Sequence, residues 1–442
     1  MSPAEVEAAA RDAVTSVADE LGALTQPLFE SALAYDADGP LGGVPFVIKD
    51  SGPFARGVSF AFGSRAIRGV ADQDHELMRR FRRAGLAAIG QTCAPELSLS
   101  FATESRLHGV TGNPWNLARG AGGSSGGAAA LVAAGAVPVA HGSDGAGSIR
   151  IPAACCGVVG LKPSRARTTS GPELQRGETM GVDFALSRTI RDTAVLLDAV
   201  AAPNARLATP ERPYEELVRI DPGRLRISVT VAPWSRGAVV PEIADTTRRT
   251  ADMLAWIGHD VAEVSPAIDQ GDVVAAELLA IHAAGRALLL APRRPDTRQL
   301  EAVSRSIVAE TAAMTDADVA GFADAQHRVT ADVERVFATA DLLVTPVTAE
   351  LPLLHGTLDY NDPRWTARTW LERILEYGPF TAAFNVSGHP AISLPLGQSR
   401  SGLPIGVQLA APLGREDLLL QVAAQLEQAM PWIERHPPIF AG

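Results

Sequence analysis

The 442-residue sequence contains 39 basic and 50 acidic residues, which gives a formal net charge of −11, and it is 46% apolar and 20% charged. This composition is typical of a globular protein, and the negative charge argues against a general affinity for nucleic acid or for an anionic membrane surface. Three cysteines (Cys93, Cys155 and Cys156) are too few for a disulfide framework and fit a reducing cytoplasm. Acidic residues are spread through positions 1–20, the opposite of a basic signal-peptide start, so we expect a cytoplasmic protein.

Helix-like and strand-like segments alternate through the first part of the chain. Residues 2–24 have helical composition, and the apolar run 42–48 is typical of a strand buried on both faces. Lys49 directly follows that run, at the end of a strand, where α/β folds place their chemistry. Further helices are predicted over 73–84 and 126–134, and further strands over 86–90 and 137–140. The alternation predicts an α/β fold with a largely parallel sheet and helices on both faces.

The second part of the chain is less regular. Strands are predicted at 225–231, 260–264, 341–346, 391–394 and 405–409, and helices at 243–256 and 416–430. Between 273 and 340 the pattern is mostly helical, with interruptions expected at Pro292, Pro295 and Gly321. Because no internal repeat and no long polar linker divides the sequence, we expect one large domain over residues 1–442.

The densest cluster of glycine and serine lies between Gly120 and Ser148. Glycine allows the main chain to approach a reacting group closely because it has no Cβ. A phosphate-binding loop is disfavoured, since no lysine follows the glycines as G-x-x-x-x-G-K-[ST] requires, and the G-x-G-x-x-G pattern lacks its third glycine. A Gly-x-Ser-x-Gly nucleophile elbow needs an apolar strand before it, whereas residues 113–119 are polar.

Nucleophilic catalysis by serine is the remaining chemical interpretation of this cluster. A serine hydroxyl is a poor nucleophile until a base removes its proton, and none of the nine histidines lies in a recognisable triad motif. Lysine can act as that base where burial disfavours its charged form. Lys49 and the glycine-flanked serines Ser124 and Ser148 therefore supply the parts of a Ser–Lys site. Asp72, Asp74 and His75 have no partner motif, so they predict a helix start rather than a metal site.

Several segments together resemble the amidase signature family. Residues 122–163 contain the two serines, 24 positions apart, and resemble the signature block of that family. The matching segments outside this block are 40–50, which resembles the catalytic-lysine strand, 103–105 and 113–116, which resemble intervening motifs, and 385–391 and 402–409, which resemble C-terminal strands. The resemblance covers about half the chain and implies a catalytic core over about 40–200 and 341–430. Residues 200–340 match only in general character, and substrate pockets differ there within the family.

The resemblance implies a Ser-Ser-Lys triad. Ser148 is the implied nucleophile, and Ser124, preceded by a cis peptide bond, is implied to bridge Ser148 to Lys49. Lys49 is the implied base and the source of the proton given to the leaving amine. The implied oxyanion hole consists of the backbone N–H groups of Gly145, Ala146, Gly147 and Ser148. Ser125 is implied to support this network by hydrogen bonding.

Other residues near the implied nucleophile suggest further roles. We expect Asp144 to order the loop, and Arg150 to form an ion pair with Asp192 or to bind a substrate carboxylate. The family often has Thr-Gly-Gly-Ser where this chain has Gly-Ala-Gly-Ser at 145–148, a departure that bears on the acyl side of the pocket. An aryl pocket is the alternative to core packing for the aromatic residues Trp234, Trp365, Trp370, Phe380 and Phe384.

The expected activity is hydrolysis of an acyl C–N bond in a small amide, anilides included, or in a carbamate (urethane), without cofactor or metal. We expect a monomer or homodimer with no nucleic-acid or membrane partner. One alternative is an amidotransferase subunit that releases ammonia from glutamine, although family members of that kind generally carry Gln where this chain has Ile151. A second alternative is a non-catalytic binding protein, which the presence of Lys49, Ser124 and Ser148 together disfavours.

Overall fold

The computed structural model describes residues 2–168, 180–202, 204, 207, 210–291 and 294–441. The α-helices in this part of the chain are α1 (Pro3–Leu21), α2 (Glu76–Ala84), α3 (Gly126–Ala133), α4 (Arg150–Cys156), α5 (Ile190–Val200), α6 (Tyr214–Leu217), α7 (Pro241–Ile257), α8 (Gln270–Leu290), α9 (Ala302–Ala313), α10 (Asp316–Phe337), α11 (Ala367–Tyr377), α12 (Ala382–Ser387) and α13 (Glu416–Ala429). The strands are β1 (Pro45–Lys49), β2 (Ser59–Phe60), β3 (Gly69–Val70), β4 (Ala87–Thr92), β5 (Glu104–Ser105), β6 (Gly109–Val110), β7 (Gly112–Asn113), β8 (Asn116–Gly120), β9 (Val139–Asp144), β10 (Val159–Lys162), β11 (Val182–Ser187), β12 (Arg226–Val229), β13 (Asp260–Glu263), β14 (Leu342–Pro346), β15 (Ala391–Gln398) and β16 (Pro404–Ala410).

Ten of these strands form one mixed sheet in the order β13-β12-β14-β16-β15-β10-β11-β9-β1-β4. The parallel pairs lie at the two ends, β4 with β1 and β1 with β9 at one end and β14 with β12 and β12 with β13 at the other. The pairings between them are antiparallel. Strands from both ends and from the middle of the chain meet in this sheet. The predicted single α/β domain with a sheet flanked by helices is confirmed. The sheet is less parallel than predicted, since five of its nine strand pairings are antiparallel.

Strand β1 carries Lys49 into the interior because it lies between β4 and β9. All five residues of β1 are buried, and Lys49 is opposite Thr92 of β4. Strands β1 and β9 are parallel, with Val47 opposite Ala140, so their carboxyl ends meet at the same edge of the sheet. Strand β9 continues to Asp144, beyond the predicted end at residue 140. This edge brings Lys49 close to the loop that contains Ser148.

Helix α3 packs unusually close to its neighbours because it consists of small residues. Every residue from Gly126 to Ala133 is buried. A Cβ added at Gly127 would lie 2.6 Å from the Ala23 carbonyl oxygen and 2.9 Å from the Cys93 backbone nitrogen. The two serines that precede this helix are therefore held against the sheet by backbone-to-backbone packing.

Most predicted elements are present with boundaries shifted by a few residues, but the expected break at Gly321 is wrong. Gly321 lies inside α10, exposed and with nothing within 4 Å of a Cβ added there. An exposed helical glycine costs only about 1 kcal/mol relative to alanine, which is too little to end a helix of this length. Pro295 lies between α8 and the next helical turn, as expected, and Pro292 lies outside the described residues. The short strands β10 and β11 have no counterpart among the predicted elements.

Among the described helices, α8 is the one long and apolar enough to cross a membrane by length and composition. In the fold it packs mainly against α9 and α10, and the buried part of its surface includes Glu277 and His282. A packed core helix meets the same two criteria, so this feature carries little weight as evidence for a membrane span.

We predict opposite stability changes for two glycine-to-alanine substitutions in helices. Gly127→Ala should lower the free energy of unfolding by about 1–3 kcal/mol, because the new methyl group meets backbone atoms that cannot move aside. Gly321→Ala should raise it by up to about 1 kcal/mol, because the methyl group enters open space in an exposed helix. Urea denaturation followed by circular dichroism measures both. Equal midpoints for the two variants would contradict the close packing of α3.

Candidate active site

The amine of Lys49 lies among serine hydroxyls rather than carboxylates. Lys49 is 1% exposed, and its Nζ donates to Ser124 Oγ at 2.6 Å, to Ser143 Oγ at 2.8 Å and to Ser125 Oγ at 3.1 Å. In the described part of the chain it forms no ion pair with a carboxylate. Hydroxyl groups are equally good partners for a neutral amine, so this environment does not require Lys49 to stay charged.

Burial lowers the pKa of Lys49 to about 7, against the opposing charges of Asp183, Asp144 and Asp50, which raise it. Desolvation disfavours the ammonium form, and no carboxylate is close enough to restore it fully. A large share of the molecules therefore carries a neutral amine at neutral pH. That amine can accept a proton from the hydroxyl of Ser124.

Ser124 and Ser125 occupy the turn that leads into α3. The peptide bond between Gly123 and Ser124 is cis, as the family resemblance implied. Ser125 is tied to β9 in both directions, since its Oγ donates to the carbonyl of Ser143 at 3.2 Å and accepts from the Ser143 N–H at 3.2 Å. These bonds fix Ser125 beside Lys49 and hold the turn in place.

Ser148 lies in the loop between β9 and α4, next to this turn. The Ser125 N–H donates to the carbonyl oxygen of Ser148 at 3.2 Å, and Ser148 is 5% exposed. Within the described residues the hydroxyl of Ser148 forms no hydrogen bond. Of the expected bridge, the hydrogen bond between Lys49 and Ser124 is therefore present, whereas the one between Ser124 and Ser148 is not. A serine side chain turns between staggered rotamers, so rotation about χ1 changes which neighbour its hydroxyl faces.

The backbone around Ser148 offers a row of free donors. Within the described part of the chain, the N–H groups of residues 145–148 have no acceptor, whereas the next two, Ile149 and Arg150, donate to Asp144 Oδ2 at 3.2 and 3.3 Å. Gly145 opens onto space, with nothing within 4 Å of an added Cβ. Gly147 has a φ of 142° and faces Thr381, whose Oγ1 would lie 2.6 Å from an added Cβ. Consecutive free N–H groups of this kind can stabilise a developing oxyanion.

Arg150 pairs with Asp144, so the expected pairing with Asp192 is wrong. Both side chains of the pair are fully buried and meet in a two-point contact, Nε to Oδ2 at 2.9 Å and Nη2 to Oδ1 at 2.8 Å. Burial alone would raise the pKa of Asp144, but the charge and hydrogen bonds of Arg150 lower it to about 2. Asp192 instead lies in the first turn of α5, capped by Thr189. The loop that carries Ser148 is thus anchored by a permanent ion pair, and Arg150 is not free to bind a substrate carboxylate.

The carboxylate of Asp183 also acts on Lys49. Asp183 of β11 is opposite Ser143 of β9, and its Oδ1 lies 3.3 Å from His141 Nε2. Burial lowers the pKa of His141, so the ring is neutral at pH 7. Of the charges that raise the pKa of Lys49, the carboxylate of Asp183 has the largest effect.

Sequence reasoning missed both Ser143 and Asp183. Ser143 was visible as a polar residue next to Asp144, but its contact with Lys49 depends on how far β9 extends. Asp183 follows a segment with no motif, and only the antiparallel pairing of β11 with β9 brings it to Ser143. The signal available in the sequence was the alternation of β9, which puts His141 and Ser143 on one face of the strand.

The aromatic candidates divide into two clusters. Trp234 packs edge-on against Phe380 and Phe384, with ring centres 5.5 and 6.0 Å apart, and Phe380 directly precedes Thr381, whose hydroxyl donates to the Ala146 carbonyl at 2.5 Å. Trp365, just before α11, packs against Trp370 of that helix. Phe380, Phe384 and Trp370 are fully buried, as expected for core residues. Trp234 is half-buried.

The described residues contain no arranged set of metal ligands, and their thiols are buried. No group of three or more His, Cys, Asp or Glu side chains there is arranged to hold a metal ion. His75 begins α2, and Asp74 pairs with Arg82 of that helix, as expected for a helix start. Cys155 and Cys156 are free and buried, and burial raises the pKa of both thiols.

The chain contains two lysines among its 39 basic residues, Lys49 and Lys162, and both are buried. Lys162 of β10 donates to the Pro163 carbonyl oxygen at 2.8 Å. Burial and the charge of Arg150 lower its pKa well below the usual value. Every lysine side chain of the chain therefore lies in the interior.

Comparison with known proteins identifies the family. The profile of the Amidase family matches residues 5–420. The 6-aminohexanoate-cyclic-dimer hydrolase of Paenarthrobacter ureafaciens is 38% identical over an alignment of 459 positions, which covers 97% of this chain and 91% of that protein. A solved structure of 6-aminohexanoate cyclic dimer hydrolase matches with a TM-score of 0.92 at 36% identity, covering 99% of this chain and 96% of that one. A bacterial aryl acylamidase of the amidase signature family matches with a TM-score of 0.82 at 25% identity, covering 98% and 94%. The chain therefore belongs to the amidase signature family, whose members are hydrolases of carbon–nitrogen bonds.

We predict that Lys49 titrates near pH 7 and that Asp183→Asn lowers this midpoint. Removing the carboxylate removes a charge that favours the ammonium form, so the pKa of Lys49 must fall. Lysine labelled with ¹³C at Cε gives only two side-chain signals, which the Lys49→Met spectrum assigns. Asp245→Asn, an exposed carboxylate on α7, serves as the control and should leave the midpoint unchanged. A Lys49 signal that remains that of an ammonium group up to pH 9 would contradict the prediction.

Proposed function

We propose that this chain hydrolyses small amides through an acyl-enzyme formed on Ser148, with Lys49 as the base and Ser124 as the proton carrier between them. The observation that carries the proposal is the buried Lys49 amine, 2.6 Å from Ser124 Oγ and with a pKa of about 7. A base with a pKa near the working pH is in its unprotonated form often enough to act and still strong enough to take a proton.

Acylation begins with two coupled proton transfers. Lys49 takes the hydroxyl proton of Ser124 while Ser124 takes that of Ser148, and Ser148 Oγ attacks the amide carbonyl carbon. The carbonyl oxygen gains the negative charge and accepts hydrogen bonds from the free N–H groups of residues 145–148. Each well-aimed donor of this kind is worth about 3–4 kcal/mol in other serine hydrolases. The anchoring of the loop by Asp144 and Arg150 keeps these donors aimed before substrate arrives.

Collapse of the tetrahedral intermediate breaks the C–N bond. The Lys49 ammonium returns its proton through Ser124 to the leaving nitrogen, which departs as a neutral amine. A water molecule then attacks the acyl-enzyme, passing a proton along the same path. The carboxylic acid is released, and Ser148 regains its hydroxyl.

Amides related to 6-aminohexanoate are the first substrates to test, because relatives that act on its cyclic dimer match this chain over nearly its full length. Aryl amides come next, supported by the aryl acylamidase match and by the half-buried Trp234, which packs against Phe380 next to Thr381. Carbamates present the same carbonyl and a nitrogen leaving group, so the same steps would cleave them. Glutamine-dependent release of ammonia is less well supported, since Ile151 is buried and offers no hydrogen bond to a substrate amide.

Ser148→Ala should reduce amide turnover by at least about 10³-fold without loss of folding, because the substitution removes the attacking hydroxyl. Mass spectrometry of wild-type protein mixed with a p-nitroanilide should detect one added acyl group, absent from the variant. Ser16→Ala, an exposed serine on α1, provides the control and should behave as wild type. Turnover by Ser148→Ala within tenfold of wild type would reject Ser148 as nucleophile.

The rate should rise with pH through about 7 and then level off, because Lys49 is active only after it has lost its proton. Lys49→Arg should lower kcat/KM by about 10²- to 10⁴-fold at every pH below 10, since a guanidinium keeps its proton throughout that range. The measurement is a pH profile of kcat/KM for both proteins. A wild-type profile that is flat from pH 5 to 9 would exclude Lys49 as the base.

A further inference from the structure

The side chain of Thr381 holds the carbonyl oxygen of Ala146, in the loop that carries Ser148. Thr381 is fully buried and directly precedes α12. Its Oγ1 donates to the Ala146 carbonyl oxygen at 2.5 Å and lies farther, at 3.3 Å, from the Gly378 carbonyl oxygen. A hydroxyl has one proton to donate, so the shorter contact is the one that this proton serves.

Holding a carbonyl oxygen also orients the N–H group of the following residue. In a planar trans peptide the C=O of one residue and the N–H of the next lie in one plane and point in opposite directions. The peptide between Ala146 and Gly147 is trans, since the cis bonds of the described chain lie elsewhere. The hydrogen bond from Thr381 therefore directs the Gly147 N–H away from Thr381. This N–H has no acceptor among the described residues, so it is free to bind a substrate oxygen.

The contact between Thr381 and the loop is close and is fixed from behind. A Cβ added at Gly147 would lie 2.6 Å from Thr381 Oγ1 and 2.9 Å from Thr381 Cβ, so glycine is needed for this approach. Arg150 Nη1 donates to the Thr381 carbonyl oxygen at 2.9 Å. The buried ion pair of Arg150 with Asp144 thus holds the backbone of the residue that orients the loop.

A second side chain of α12 contacts the same loop in the same way. Asn385 lies four residues after Thr381, and residues at this spacing share one face of a helix. Its Nδ2 donates to the Asp144 carbonyl oxygen at 2.7 Å, which directs the following N–H, that of Gly145, away from Asn385. The Gly145 N–H is likewise without an acceptor in the described part of the chain. One face of α12 therefore orients two alternate peptides of the loop.

We propose that Thr381 is a positioning residue for the reaction, whose hydroxyl orients the peptide between Ala146 and Gly147 so that the Gly147 N–H stabilises the oxyanion. This inference rests on the proposed function and names the side chain that aims one of its backbone donors. Thr381 acts through Ala146 and takes no part in the proton transfers. A donor that is aimed before the reaction costs no reorganisation when negative charge develops on the carbonyl oxygen, so its loss lowers the rate more than substrate binding.

Thr381→Val replaces the hydroxyl with a methyl group of similar size. It should lower kcat for a p-nitroanilide by about 10- to 100-fold and leave KM within about threefold, because the oxyanion develops only after the attack. Thr381→Ser is the matched control, since it keeps the hydroxyl, and both constants should stay within about threefold of wild type. A kcat of Thr381→Val within threefold of wild type, a loss confined to KM, or an equal loss of kcat in Thr381→Ser would overturn the proposal.

Crystal structures of the two variants separate this inference from the proposed function. In Thr381→Val the Ala146 carbonyl oxygen should turn away from residue 381 and reorient the Gly147 N–H, because a methyl group offers no proton to this oxygen. Thr381→Ser should keep the wild-type orientation. An unchanged peptide in Thr381→Val refutes the positioning role whatever the kinetic result. If the wild-type protein hydrolyses no amide while the peptide turns in Thr381→Val alone, the proposed reaction fails and the orienting role of Thr381 stands.

Discussion

The desolvation of one amine governs this active site. Lys49 is placed in the interior by a strand whose five residues are all buried, and water is replaced there by three serine hydroxyls. Those hydroxyls stabilise the neutral and the charged amine alike, whereas a carboxylate at the same distance would fix the charge. The small residues of α3, the cis turn at Ser124 and the extension of β9 to Asp144 all serve to bring hydroxyl groups to this amine. If Lys49 were exposed, its pKa would return toward its ordinary value, and the site would lose the base that we propose.

The Ser148 loop is anchored by buried groups that stay charged, in contrast to Lys49. Arg150 and Asp144 are as deeply buried as Lys49, but each neutralises the other through two hydrogen bonds and remains charged. Removing one partner of such a pair leaves an uncompensated charge, which is strongly destabilising. A titrating amine and a non-titrating ion pair thus lie close together, since Ser143, which accepts from Lys49, directly precedes Asp144. The amine is suited to proton movement, and the ion pair is suited to keeping the backbone donors still.

The sequence predicts the parts of the site that depend on local pattern. It does not predict the contacts that depend on how the strands pair. The apolar run before Lys49 and the glycine-rich turn at Ser124 indicate a buried lysine and a close main-chain approach, and the structure has both. Ser143, Asp183 and the partner of Arg150 depend on the register of β9 with β11 and on the loop conformation, which no short-range pattern encodes. The expected pairing of Arg150 with Asp192 is wrong for that reason, since a carboxylate six residues away in a tight loop is closer in space than one in a separate helix. The burial of Glu277 could not be predicted either, because an acidic residue in an apolar helix pattern does not show whether it is buried.

Because both lysines lie in the interior, the surface of the molecule carries no lysine amine. The basic side chains on its surface are arginines, whose guanidinium groups stay protonated at neutral pH and are poor nucleophiles. Acyl donors of the kind that label surface amines therefore find no lysine on which to react. A covalent adduct that such a reagent forms on a lysine of the folded chain therefore reports on its interior chemistry.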